Sequence, residues 1–600
     1  MDTFILLRDP SKSEIEKINQ SAKAKVWVSK EVNTTAFTFP FQVIEIHHNW
    51  MQLASNIIKA LPHRIYSGKK LVEYLDYKSN FLFFHTRFIL FSRFFLAHQE
   101  VMTIEELIRE KNIEGNILVG GSSPYLKEFN FSKEVTVLNQ SSTLGKIPKL
   151  KFAVLSVLRT LIAVTQIAKY KQAKHLFLNP PVKLVPIIDK ETLQPKLGNP
   201  PVEYYLDDLL KRKDAFVLEE FYPLREVDYS FSRSNLFGVF PGKTIFFEPF
   251  LIRALLNPNT RNDQKSFKSK EAELYNLINS EEKDPILKLA NRINFDLRGL
   301  RSLAILRMNA AKIFFKPNMK SFGCIDEHSM RVKSLIEPAA EKGIMTYALQ
   351  HGIIHKFHHS YVYLPEDHNY LTIPDKTFTF GTQAADVLLD HGHFAKEKVE
   401  ISGQLRTDII PILKNSTQSL ERFGITADKP VVLYASQPEA ASNDNEQRDL
   451  VNADFFRLSK EFPDYQFVLK PHPREVNHQY FHNIANKVGT TNYQILTEDL
   501  YFLLSKCSIL LTHSSSVGAE AIFFGKPLLV MDYSNLDAVD YIKEAVGIPA
   551  INYLQTKDAF VKMMAGELRC DPKACNNYRQ KYTGTIDGKV SERILNAVLN

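Results

Sequence analysis

The alternation of apolar and polar positions changes character three times along the chain. Residues 3–62 carry short apolar runs, among them Thr3-Phe-Ile-Leu-Leu7 and Ala24-Lys-Val-Trp-Val28, set between polar helical stretches, and 51–60 has a helical period. Aromatic residues then dominate from 66 to 98, where 80–95 reads as an apolar helix. A helix over 103–111 and strands over 115–120 and 134–138 make a β-α-β pattern. Periodicity fades between 179 and 263, where Asn179-Pro-Pro181, Asn199-Pro-Pro201 and Asn257-Pro-Asn259 are turn signals, so an irregular insertion is expected there. The charged stretch 269–294 reads as a helix with a solvated face.

Regular alternation resumes at 311. A helix over 329–342 precedes a strand over 344–349 that ends in Gln350-His-Gly352, and further strands fall at 376–381 and 399–403. The pattern pauses at Gly403-Gln-Leu-Arg-Thr-Asp408, and a polar linker over 413–430 opens a second series of strands at 430–436, 465–469, 494–496, 509–512 and 527–531, spaced by helices. The expected class is α/β: two Rossmann-like domains with parallel sheets facing a cleft, 1–415 and 416–600, with the last helix free to pack back on the first domain.

Composition narrows the function. With 600 residues, 44% of them hydrophobic and 24% charged, the chain is an ordinary multi-domain globular protein. Its basic residues are scattered, so the net charge of +8 does not describe a nucleic-acid-binding surface. Four cysteines, Cys324, Cys507, Cys570 and Cys575, are too dispersed for a disulfide framework or a zinc site. The N-terminus does not read as a signal peptide, which places the chain in a reducing cytoplasm. The apolar stretch 152–169 is interrupted by Arg159 and reads as a buried helix instead of a membrane span. For 80–95 the first reading is a core-facing helix with Arg87 and Arg93 on its polar side; the alternative is that its aromatic-basic face rests on the inner membrane.

Two C-terminal segments carry chemistry. In Phe467-Val-Leu-Lys-Pro-His-Pro-Arg474 an apolar strand ends in a loop that two prolines hold extended, presenting His472 between Lys470 and Arg474. In Thr512-His-Ser-Ser-Ser-Val-Gly-Ala-Glu520 a serine-rich helix start offers free N–H groups and hydroxyls to an anion, with Glu520 one turn further in. The bland alternative is plain N-capping with a solvated Glu520. Lys470, His472, Arg474, His513, Ser514, Ser515, Ser516 and Glu520 are therefore the candidate nucleotide-sugar site.

Elsewhere, Asp326 and Glu327 sit at a strand end as candidate general bases, and Asp326 as a helix cap is the competing reading. Gln350, His351 and Gly352 form a turn, Gly352 allowing close backbone approach. Arg406 offers either a bidentate contact to a donor anion or an ion pair with Asp408. The nearby His355, His358 and His359 invite a metal reading, which is set aside because no cysteine accompanies them.

The Lys-Pro-His-Pro strand end, the Ser-Ser helix start, Glu-Ala and Gly-Lys-Pro together resemble the donor domain of GT-B glycosyltransferases of bacterial surface carbohydrate, in particular sialyltransferases and capsular Kdo transferases. That resemblance, over about 310–540, implies a metal-independent, cofactor-free transferase moving an acidic sugar from a CMP-activated donor to a surface-glycan or lipid-linked acceptor. It implies that His472, Ser514 and Ser515 bind the donor phosphate, with His472 also protonating the leaving group, and that Glu520 binds the ribose. A carboxylate in the first domain would be the base, although the family's acidic pair usually ends in Gly and His328 follows here. The alternatives on the same fold are a UDP-sugar or CDP-glycerol-type transferase and a UDP-N-acetylglucosamine 2-epimerase, with a non-catalytic carbohydrate-binding protein as a third class.

Overall fold

The computed structural model describes residues 2–20, 25–44, 50–138, 149–180, 184–220, 236–438 and 445–599, apart from isolated positions within those ranges. The chain divides into two units: 1–181 with 213–377 and 386–399, and 182–212 with 378–385 and 400–600.

The first unit holds parallel strands, as the short apolar runs predict. β1 (Thr3–Leu6), β2 (Lys25–Ser29), β3 (Gln42–Ile44), β4 (Ile117–Gly120) and β5 (Val135–Val137) form a parallel sheet in the order β3-β2-β1-β4-β5. The helix expected over 103–111 is the end of a single 28-residue helix, α1 (Phe83–Glu110). Arg87 in α1 departs from the expected polar side: it is fully buried, its guanidinium 3.4 Å from Asp367, donating to the Val362 carbonyl and lying over the Tyr363 ring. A helical period cannot anticipate a charge whose partner lies 280 residues away.

After α2 (Lys149–Ala163) and α3 (Ile167–Gln172), a second parallel sheet runs through β6 (His175–Leu178), β7 (Ala215–Glu219), β8 (Thr244–Phe246), β9 (Ser321–Cys324) and β10 (Met345–Leu349), in the order β8-β7-β6-β9-β10. Helices α4 (Glu248–Leu256), α5 (Arg298–Phe314) and α6 (Met330–Glu341) accompany it. Where the sequence suggests an irregular stretch at 179–263, the structure has regular elements. An antiparallel Val185–Ile188/Pro195–Gly198 hairpin and the helix Glu203–Leu209 belong to the second unit, and β7, β8 and α4 to the first. Strands of three to five residues are too brief to show a period, and prolines are tolerated in a two-stranded hairpin; 221–235 lies outside the described residues.

The second unit's sheet comprises β11 (Val431–Ala435), β12 (Gln466–Lys470), β13 (Gln494–Ile495), β14 (Ile509–Thr512), β15 (Leu528–Met531) and β16 (Ile548–Ala550), parallel throughout in the order β13-β12-β11-β14-β15-β16. Along β11, Val431, Leu433 and Ala435 enter one hydrophobic core while Val432 and Tyr434 enter another. Both faces of the sheet are thus covered, which is why its strands read as unbroken apolar runs. Helices α7 (Leu500–Lys506), α8 (Val517–Phe524), α9 (Pro572–Tyr582) and α10 (Val590–Leu599) belong to this unit. The Asp408 carboxylate accepts the Val590 and Ser591 N–H groups at 2.9 and 3.0 Å, so it fixes the start of α10.

Candidate functional site

The loop after β12 is folded by a residue that the strand-end motif does not include. Glu475 accepts the His472 N–H at 2.9 Å, its own N–H donates to the His472 carbonyl at 2.8 Å, and Ser436 and Arg448 also bind its carboxylate. The H-x-x-E spacing is the sequence signal for this reciprocal turn. Within it, the Arg474 N–H donates to His472 Nδ1 at 3.2 Å. That nitrogen is therefore unprotonated, and the proton of the neutral ring sits on Nε2. Burial lowers the His472 pKa below its ordinary value, with Glu475 opposing and Arg474 reinforcing the shift. His472 is thus a neutral Nε2–H donor at pH 7. Lys470 donates to the Thr497 carbonyl at 2.9 Å; burial lowers its pKa, partly offset by Asp499 and Glu498.

The serine-rich helix start is more self-contained than a free anion site. Ser515 Oγ accepts the Val517 N–H, the Ser515 carbonyl accepts the Gly518 N–H, and the Tyr541 hydroxyl accepts the Ala519 N–H at 2.8 Å while donating to the Ser515 carbonyl at 2.9 Å. Ser514 donates to the Gln437 side chain. Ser516 holds the N-cap position but makes no capping bond, and it is exposed. His513 is buried with Nδ1 bonded to the Met531 carbonyl at 2.8 Å. The hydroxyls and N–H groups expected to await a phosphate are in large part occupied, because the turn leading into α8 closes on itself.

Glu520 is not a solvated carboxylate. Arg406 reaches it at 3.3 Å, lies 3.7 Å from Asp499 and stacks over the Tyr501 ring at 4.1 Å. Burial raises the Glu520 pKa, Arg406 pulls it back and Asp499 pushes it up. Burial works against the charge of Arg406, but Glu520, Tyr501 and Asp499 outweigh it. The expected alternative partner of Arg406, Asp408, is committed to α10.

A cavity of 610 Å³ opens at the carboxyl edge of β11 and β12. Lys470, His472, Ser515, Arg406, Glu475 and Asp499 are among its lining residues, whereas Arg474, His513, Ser514, Ser516 and Glu520 do not line it. Its position is the one at which open parallel sheets bind ligands.

In the first unit, Asp326 has a φ of 61°, in the left-handed region that Asp and Asn tolerate better than most residues. Ser329, not Asp326, caps α6: its side chain accepts the Val332 N–H. The Asp326 carboxylate instead holds His328 Nε2 at 2.9 Å. Burial pushes its pKa up, but the hydrogen bond and charge of His328, with His351, outweigh this and leave it below the ordinary carboxylate value. That opposes the raised pKa wanted of a general base. Glu327 is buried and accepts from the Tyr361 hydroxyl at 3.3 Å. His328, the departure from the family pattern, is the group this acid orients, and its buried Nδ1 has no hydrogen-bond partner.

Gln350 donates to the Gly352 carbonyl at 2.8 Å, and the His351 and His328 rings lie 6.3 Å apart. A Cβ at Gly352 would meet no protein atom within 4 Å. His358 packs 5.7 Å from His328, its pKa lowered to about 4 by burial and the neighbouring histidines, and His359 stacks on Phe91 at 3.6 Å. Among the described residues no group of His, Cys, Asp and Glu is arranged to hold a metal ion.

The similar solved structures include these three, all at low identity. The UDP-GlcNAc 2-epimerase from Neisseria meningitidis bound to UDP-GlcNAc is 13% identical, with 71% of this chain and 98% of that chain covered and a TM-score of 0.42. For the UDP-GlcNAc 2-epimerase from Methanocaldococcus jannaschii the figures are 14%, 71%, 98% and 0.40. A variant of the wall teichoic acid polymerase TagF gives 12%, 74%, 97% and 0.40. No curated protein matches the chain. Residues 370–598 match the model of the UDP-N-acetylglucosamine 2-epimerase family, a span that takes in the cavity-lining residues from Arg406 to Val517.

Proposed function

We propose that the chain is a nucleotide-sugar enzyme whose second unit binds a UDP-activated N-acetylamino sugar in the 610 Å³ cavity, and that it acts as a 2-epimerase. The family match over 370–598 carries this reading. It favours the UDP-sugar alternative over the CMP-activated acidic sugar, for which the match offers no support. In this reading Lys470 and the His472 Nε2–H contact the diphosphate, Ser515 closes the phosphate end, and Glu520 acts from behind the cavity wall by holding Arg406, which lines it.

Calorimetry with UDP, UDP-N-acetylglucosamine, CDP and CMP tests the ligand. The uridine compounds are expected to bind, and Lys470→Ala to weaken them about tenfold or more; tighter binding of CMP overturns the reading. Inversion at C2 breaks and remakes a C–H bond, so NMR in deuterium oxide should show the N-acetylmannosamine epimer and deuterium at C2. A second reading, transfer to an acceptor, draws on the His328–Asp326 pair, which is built as an oriented base and lies outside the family match. Acceptor-dependent release of the nucleotide without epimer would favour it.

A further inference from the structure

Over 154–172 two polar side chains point inward beside Leu155, while a row of aliphatic residues points outward. Arg159 is buried in α2, 3.2 Å from Glu248 and 3.7 Å from Glu219, with its guanidinium over the Phe246 ring at 3.8 Å. Gln166 is also buried and accepts the Phe246 N–H at 3.1 Å. The aliphatic residues Val154, Val157, Leu161, Val164 and Ile167 recur at spacings of three and four and face solvent, with Leu161 and Val164 63% and 64% exposed. A helix that only packs on a core shows the opposite arrangement. The expectation that 152–169 is a buried helix is therefore corrected, because the interrupting Arg159 is the residue that points inward. The neighbouring α4 ends in Leu255 and Leu256, also exposed.

Charge accompanies this apolar stripe. Between Glu134 and Asp189 the sequence contains no Asp or Glu and eight Lys and Arg. At the C-terminal end of the stripe, Lys316 lies over the Tyr170 ring and donates to the Tyr170 carbonyl at 3.0 Å, close enough to Lys171 for the two charges to repel. An aliphatic face bordered by lysines and free of carboxylates along its own sequence matches an anionic lipid surface, where the aliphatics enter the acyl boundary and the lysines meet the headgroups. Among the described residues no helix is long and apolar enough to cross a membrane.

We propose that this face, Val154 to Ile167 with its lysine border, docks the protein in the plane of an anionic bilayer. It replaces the 80–95 face as the lipid candidate, since Arg87 there is committed to the interior. The proposal is independent of which nucleotide-sugar reaction the second unit supports.

Flotation of the full-length protein with vesicles of equal parts phosphatidylglycerol and phosphatidylcholine, against phosphatidylcholine alone, provides the test. Binding to the anionic vesicles, weakened by raised salt, is expected. Lys171→Glu with Lys174→Glu should reduce partitioning by about fivefold or more per lysine. Leu161→Glu with Val164→Glu should reduce it at least about tenfold, with melting and circular dichroism unchanged because both side chains are exposed. Equal binding to both vesicle types, no binding, or undiminished binding of the folded Leu161→Glu/Val164→Glu variant overturns the proposal. So does concentration-dependent dimerisation that the same substitutions abolish without any vesicle binding, which would assign the face to a second copy.

Discussion

Tyr541→Phe removes a single oxygen from behind the start of α8, and its effect follows from the bonds that oxygen makes. The hydroxyl accepts from Ala519 N–H and donates to the Ser515 carbonyl, and the ring is almost fully buried. Both partners keep one longer contact, Ala519 N–H to the Ser516 carbonyl and the Ser515 carbonyl from Gly518 N–H, each at 3.1 Å. The loss is therefore the net worth of two hydrogen bonds, about 1–3 kcal/mol in total, without the full penalty of orphaned groups. A chain with two units has no single unfolding free energy, so a local readout is required. Amide exchange over 515–520 should accelerate about 5- to 150-fold, the same energy expressed as an opening equilibrium. Ligand affinity should fall with it, because Ser515 and Val517 line the cavity. Gly518→Ala is the comparison: its Cβ would lie 2.4 Å from a Tyr541 ring carbon, an overpacking that costs about 1–3 kcal/mol by pushing on the ring without removing its hydroxyl. Unchanged exchange in a folded Tyr541→Phe protein, with acceleration in Gly518→Ala, would refute the hydroxyl as the clamp and leave only the ring contact.

Three further outcomes are expected. His98 is fully buried with neither ring nitrogen bonded, and burial lowers its pKa from 6.5 to about 4. Because the folded-state value is the lower one, its contribution is intact above pH 6.5 and declines toward pH 4, by about 3 kcal/mol in total; in thermal melts His98→Leu should flatten that part of the first unit's pH dependence, and an unaltered profile would count against it. Arg406→Lys keeps the charge but loses the stacking on Tyr501 and the reach to both Glu520 and Asp499, so nucleotide affinity measured by calorimetry should drop about tenfold or more; wild-type affinity would remove Arg406 from the site. Asp326→Asn suits the left-handed backbone yet no longer holds His328 by charge, so under the transfer reading acceptor-dependent turnover should fall at least about a hundredfold with little change in melting temperature, whereas a matching loss of stability would make the pair structural.

The α/β class was legible because its strands are buried on both faces: Val431–Ala435 and Ile509–Thr512 are apolar without interruption and end in polar residues. The same abrupt ends exposed Lys470 and His472 as residues of a sheet edge. What could not be read was pairing across distance. Glu475 shows only its spacing from His472 until Arg448 and Ser436, 27 and 39 residues away, are brought to it, and Arg406 meets Glu520 across 114 residues. Arg159 illustrates the converse. Its charge looked like an interruption of a buried helix, although two carboxylates from later segments make the interior its natural place, and the apolar residues around it are the ones left outside.

His472 and His328 follow one principle with opposite results. Each sits in a loop after a buried parallel strand, and each has one ring nitrogen engaged by a neighbouring group. For His472 the engaged atom is Nδ1, which accepts a backbone N–H, so the atom available to a ligand is a protonated Nε2. For His328 the engaged atom is Nε2, which donates to Asp326, so the remaining atom of the neutral ring is a Nδ1 lone pair. A nitrogen of the first kind can donate to an anion, whereas one of the second kind, buried at His328, can only accept. The choice between them is made by the second group in each loop, the Arg474 amide in one and the Asp326 carboxylate in the other. The sequence singles out His472 as a phosphate ligand, but which of its nitrogens carries the proton follows only from the Arg474 amide that the fold brings to Nδ1.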